Sequence, residues 1–246
     1  MPTFESSSLW RISGFDALRK TIASAAYPGL QRQTLISSTL QAELRLMDRR
    51  HEGADALEAL AACVRLRESA LIYLQYEDRV WPVTLFPGDM LYHSPRSLLF
   101  GEERGLRGVK LIDIEPATVR PPGHWMHERI AHAQSYHALA PALWKLALHG
   151  PRPHLLSEIG GTAAYRALRS LAGENFVIPG ALGPAAERLR KETAPLRKIA
   201  QWPGMSVERA SRLLNGLYLS SNLIVSRTHH TARTGMFEWL RGRRPS

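Results

Sequence analysis

A chain of 246 residues, 44% of them hydrophobic, is long enough for one large domain or two small ones. Lys and Arg number 32 against 22 Asp and Glu, a formal charge of +10, and no apolar run of about 18 residues occurs, which argues against a membrane-spanning helix. The single cysteine, Cys63, excludes an intrachain disulfide and a multi-cysteine metal centre. The start, MPTFESSSLWRISGF, lacks the basic-then-apolar order of a secretory signal, so a cytoplasmic location is expected.

The first predicted elements are helices. GFDALRKTIASAAYPGL and QTLISSTLQAELRLMDRR both have helical spacing. Leu35, Leu40, Leu44 and Met47 approximate one face of the second, with Arg45, Asp48 and Arg49 outside it. Tyr27-Pro28-Gly29 separates the two. A third helix follows in DALEALAACVRL, where Asp55 is suited to cap and Leu57, Leu60, Ala61 and Val64 fall on one side. Cys63, inside that apolar stretch, reads as an inert buried thiol.

The spacing then changes to alternation. SALIYLQY sets Ala70, Ile72, Leu74 and Tyr76 against Leu71, Tyr73 and Gln75, and Glu77-Asp78 can turn it into RVWPVTLF, where Trp81, Val83 and Leu85 share a face. Pro82 donates no ladder hydrogen bond and predicts an edge or a bulge at that point. Pro87-Gly88 fits the centre of a type II turn, with positive φ at the glycine. DMLYHS returns as a third strand, FGEERGLRG interrupts as a mobile loop, and VKLIDIE is a fourth strand before the proline-rich connection PATVRPPGHW.

The second half reads as mostly helical. HERIAHAQSYHALAPALWKLALHG predicts a long helix that Pro141 restarts or kinks and Gly150-Pro151 ends. GGTAAYRALRSLAG predicts a shorter helix and FVIPG a short extended piece. GPAAERLRKE and APLRKIAQW carry prolines near their starts, where the missing N–H is tolerated. Ser206 can cap a helix with Val207, Ala210, Leu213, Leu214, Leu217 and Tyr218 at spacings of three and four, Asn222 stops it, and LIVSR is a strand. This last group suggests a winged-helix-like unit. The expected fold class is α+β: N-terminal helices, a small, mostly antiparallel sheet, and a helical C-terminal half. The expected domains are 1–122, 123–228 and a basic tail, 229–246.

The ALEALAACVRLRESALIYLQY, RVWPVTLFPGDMLYHSP and VKLIDIEPATVRPP segments, together with LNGLYLSSNLI, resemble the PATAN domain, the module named for the N-terminus of the PatA response regulator. The shared pattern is a leucine-rich helix, a strand, a hairpin with one glycine and one histidine, and a strand ending in prolines. The resemblance implies a non-catalytic regulatory or scaffolding role in bacterial signalling and carries no catalytic residue over.

His93 ends a strand with Asp89 near in sequence, but no serine or cysteine nucleophile accompanies it, so it reads as structural. His124, His127, His132 and His137 form the densest imidazole cluster. His127 and His132 are five apart, not the four that would point both one way along a helix, so a metal is the lesser reading and a metal-dependent hydrolase the second alternative. No catalytic residue, metal or cofactor is expected.

Charge is the stronger signal. From Glu187 to Ser246 there are 12 basic and 4 acidic residues, an excess of +8. The expected partner-binding residues are Arg188, Arg190, Lys191, Arg197, Lys198, Arg209 and Arg212, with Trp202 as an aromatic anchor. An acidic protein partner is the expectation. DNA is the alternative, read by Arg209, Arg212 and Asn215 on the helix after Ser206.

Overall fold

A computed structural model describes residues 9–25, 36–50, 55–101, 103–124, 133–171 and 176–227. The fold is α+β. It divides into two compact units, residues 1–153 with 175–177, and residues 154–174 with 178–246. The division therefore falls near Pro153, where the sequence suggested a break at 122–123. The cause is that the chain after 122 returns to the first sheet before leaving it.

The first unit contains β1 (Trp10–Arg11), α1 (Ile12–Ala25), α2 (Ser38–Arg49), α3 (Ala56–Leu66), β2 (Ala70–Tyr76), β3 (Arg79–Phe86), β4 (Leu91–His93), α4 (Glu103–Leu106), β5 (Lys110–Pro116), β6 (Tyr136–Ala138) and α5 (Leu139–His149). Its antiparallel sheet runs β5-β2-β3-β4-β6, with β1 beside β3. Ala70 pairs with Leu85, Ile72 with Val83 and Leu74 with Trp81, so the two alternating faces meet in the expected register. Both faces are covered. Leu71, Tyr73 and Val80 pack with Phe15 on one face, and Ile72, Leu74, Trp81, Val83 and Leu85 are buried on the other. Asp55 caps α3 by accepting from Leu57 N (2.9 Å) and Glu58 N (3.2 Å).

Pro82 sits in the interior of the sheet and yet obeys its rule. On the side away from β2, β1 covers only Arg79 and Val80 while β4 covers only Thr84 to Phe86. Trp81 to Val83 face that gap, where no N–H is required of the proline, and the Pro82 carbonyl accepts from Ser94 Oγ at 3.0 Å. The next turn departs from expectation. Asp89 N donates to Phe86 O at 3.1 Å, but the left-handed residue is Met90 (φ 51), and Gly88 does not take positive φ, so the type II turn is not formed.

Two predicted helices are corrected. Tyr136–Ala138 is a strand paired to β4, and among the described residues of that segment the α-helix is Leu139–His149, with Pro141 in its first turn. GGTAAYRALRSLAG contains β7 (Ala163–Ala167), with Ala163, Tyr165 and Ala167 buried and Arg166 exposed. That is strand alternation, which the alanine content concealed. The expected mobile loop FGEERGLRG begins at the last residue of a 3₁₀ turn, Leu98–Phe100, and contains the short α4.

The second unit adds α6 (Leu182–Lys191), β8 (Ala194–Pro195), α7 (Leu196–Ala200), α8 (Val207–Leu219) and β9 (Leu223–Arg227). Its sheet is β8-β7-β9, antiparallel throughout. Ser206 caps α8 by accepting from Arg209 N at 3.1 Å. Leu213, Leu214 and Leu217 on α8 are buried with Leu189 and Ile199. Asn222 ends the helix by joining another segment: its Oδ1 accepts from Arg169 N (2.7 Å) and its Nδ2 donates to Arg169 O (3.1 Å). No helix among the described residues is long and apolar enough to cross a membrane.

Candidate functional site

The basic residues named from sequence gather at the end of α6, on α7 and at the start of α8. Proline and glycine breaks between these short helices bring them together. Arg188 Nε donates to Glu192 Oε1 (2.5 Å), and Lys198 Nζ donates to Glu192 Oε2 (2.9 Å). One carboxylate thus bridges α6 and α7. Arg190 donates to Glu187 Oε2 (2.6 Å), whose other oxygen accepts from Ser170 Oγ (2.5 Å). Arg212 donates to Glu208 Oε1 (2.9 Å) one turn earlier on α8. Arg209 Nη1 donates to the Gly204 carbonyl (2.5 Å).

The acids therefore neutralise part of the cationic surface. Glu187, Glu192 and Glu208 stand against seven basic residues, an excess of four positive charges. Lys191 and Arg197 are exposed, with no ion pair among the described residues. The paired arginines and Lys198 remain largely solvated, apart from the less exposed Arg212. Such solvent-screened pairs contribute little to stability and exchange readily. The Lys198 and Arg188 hydrogen bonds hold the Glu192 carboxyl below its ordinary range, and the Ser170 and Arg190 hydrogen bonds do the same to Glu187.

Two expected surface residues lie inside. Trp202 is 6% exposed, with the Arg188 guanidinium 4.5 Å from its ring centroid. It is a cation–π support for α6, not an anchor offered to a partner. Asn215 is fully buried, accepting from Leu156 N (2.9 Å) and donating to His154 O (2.8 Å). Only the first turn of α8, with Glu208 and Arg209, reaches solvent fully. The half of the helix that a DNA-reading surface would need belongs to the core.

The histidines do not converge among the described residues. His93 stands on β4 with its ring edge-on to Tyr136 at 5.0 Å. His137 stands on β6 against the Tyr92 ring at 5.1 Å. His124 lies in a turn, its N–H donating to Pro121 O at 3.2 Å. His127 and His132 lie outside the described residues. Burial, with the nearby Glu68 charge, pushes the Cys63 thiol up to about 12, which leaves it protonated and without nucleophilic character at neutral pH.

Sequence reasoning missed a cavity of about 420 Å³ at the β2–β3 turn, lined by Tyr76, Glu77, Asp78, Arg79, Trp81, Arg96 and Phe100 among others. Tyr76 and Trp81 meet edge-on at 5.2 Å, and Trp81 Nε1 donates to Ser94 Oγ (2.9 Å) and Arg96 O (3.1 Å). Gly105 leaves room for the tyrosine, since a Cβ there would fall 2.5 Å from the ring. The available signal was the pairing of flanking arginines with aromatic strand residues in RVWPVTLFPGDMLYHSPRSLLF. Its convergence depends on register, which spacing alone did not supply. No family model, no curated protein and no solved structure matches this chain.

Proposed function

We propose that the protein is a non-catalytic regulatory adaptor whose second unit engages an acidic protein segment. The observation that carries this reading is the excess of four positive charges around α6, α7 and the first turn of α8, with Lys191 and Arg197 exposed. At about 0.1 M salt the field of such a group extends roughly 10 Å, enough to steer an acidic chain toward it. Exposed internal pairs such as Arg188–Glu192 can release their cation to an incoming carboxylate at little cost. The PATAN resemblance of residues 55–122 supports placing this adaptor in bacterial signalling. The hairpin β2–β3, His93 on β4 and the prolines after β5 follow that pattern in order.

A second reading, a DNA-binding regulator, is favoured by one topological observation. The order α6-β8-α7-α8-β9, with β7 placed between β8 and β9, resembles that of a winged helix, although the central strand here precedes the helices. Burial of Asn215 and of the last three turns of α8 counts against insertion of that helix in a major groove.

Titrating the full chain against labelled poly-glutamate and against duplex DNA separates the readings. The adaptor binds the peptide, and affinity falls about tenfold or more between roughly 0.05 and 0.2 M salt. Lys191→Glu with Arg197→Glu weakens that binding about tenfold or more. Preferential binding of the duplex favours the second reading. Absence of binding to both at low salt overturns both.

A further inference from the structure

We propose that the cavity at the β2–β3 turn is a binding site for a phosphate-bearing ligand with a flat ring, of the mononucleotide class. Its volume of about 420 Å³ falls within the range of roughly 300–1,000 Å³ found for small-ligand pockets. Two arginines are among its lining residues, Arg79 from the start of β3 and Arg96 from the segment after β4. A third, Arg11, is directly opposite Arg79 in the β1–β3 register. Like charges opposite one another weaken a strand pair. Among the described residues the acid paired with Arg79 is the adjacent Asp78, at 3.8 Å. A phosphate received by Arg79 and Arg96 supplies a counter-charge to Arg79 through charge-assisted hydrogen bonds, for which the planar guanidinium fork is suited.

The rest of the cavity fits a ring better than a bare anion. Phe100 is 70% exposed at its mouth, an unfavourable position for a phenyl group unless something covers it. Tyr76, half-buried, supplies further aromatic wall, and the buried Trp81 backs it edge-on. Aromatic faces stack on bases without strong preference for sequence. Glu77 and Asp78 supply acceptors for hydroxyl or amino hydrogens. The site is built in advance, because Trp81 Nε1 ties the Arg96 backbone to the strand, so little ordering cost attends binding.

Isothermal titration of the full chain with AMP, adenosine and inorganic phosphate tests the assignment. AMP binds saturably and more tightly than either fragment. Arg79→Ala with Arg96→Ala weakens it about tenfold or more, Arg79→Lys with Arg96→Lys weakens it while keeping the charge, and Phe100→Ala weakens it by a smaller factor. Arg79→Ala alone leaves the melting temperature unchanged or raised, since it relieves the Arg11 repulsion. Absence of saturable AMP binding overturns the proposal, as does AMP affinity indifferent to the arginine substitutions. Phosphate binding as tight as AMP overturns the ring assignment. A lowered melting temperature in Arg79→Ala overturns the repulsion argument.

Discussion

At the scale of single residues, two buried polar side chains bear more of the fold than any exposed arginine. Arg152 is buried, and its Nη1 and Nη2 reach Asp55 Oδ2 (2.6 Å) and Glu58 Oε1 (2.7 Å). It thereby locks the capping residue of α3 and compensates a carboxylate that α3 carries into the core. Arg152→Ala strands both acids and should cost about 3–5 kcal/mol, measured as a lowered denaturant midpoint. Asn215→Ala removes partners from Leu156 N and His154 O and should cost roughly 1–3 kcal/mol for the groups left unsatisfied. A loss below about 0.5 kcal/mol would mean that water replaces the amide.

At the scale of elements, the short helices are linked by charge as well as by apolar contact. Glu192 joins the end of α6 to α7 through Arg188 and Lys198, and its carboxyl is held below the ordinary range chiefly by the Lys198 and Arg188 hydrogen bonds. A carboxyl depressed in the folded state adds stability above its unfolded pKa and loses it as pH falls through the folded value. The melting temperature of the wild-type chain should therefore decline as pH drops below the ordinary carboxylate range. Glu192→Gln should flatten that decline while lowering stability at neutral pH. Identical acid slopes in the two proteins would remove Glu192 as a cause.

At the scale of the whole molecule, charge and architecture are separable. The excess of basic residues after Glu187 was countable from sequence, but three acids in the same stretch answer part of it through local pairs. Charge reversal at Lys191 and Arg197 should slow association with poly-glutamate more than it speeds dissociation, because steering acts on the encounter. Stopped-flow measurement at two salt concentrations checks this. An effect confined to dissociation would place the two residues in a tight contact instead.

The sequence by itself determined what short-range chemistry controls. It placed the Asp55 and Ser206 caps, the helices of the first third, the β2–β3 hairpin with its paired faces, and the local break at Pro82. Each depends on spacing or on one residue's own backbone, which the chain carries wherever it folds. Tertiary structure decided the rest. It made strands of Tyr136–Ala138 and Ala163–Ala167, because a neighbouring strand supplied hydrogen bonds that alanine-rich spacing could not foretell. It turned Trp202 and Asn215 inward, since which side of a helix meets solvent depends on what packs beside it. It brought Arg79 and Arg96 to one cavity, a convergence that depends on how β3 pairs with β4 and not on spacing along the chain.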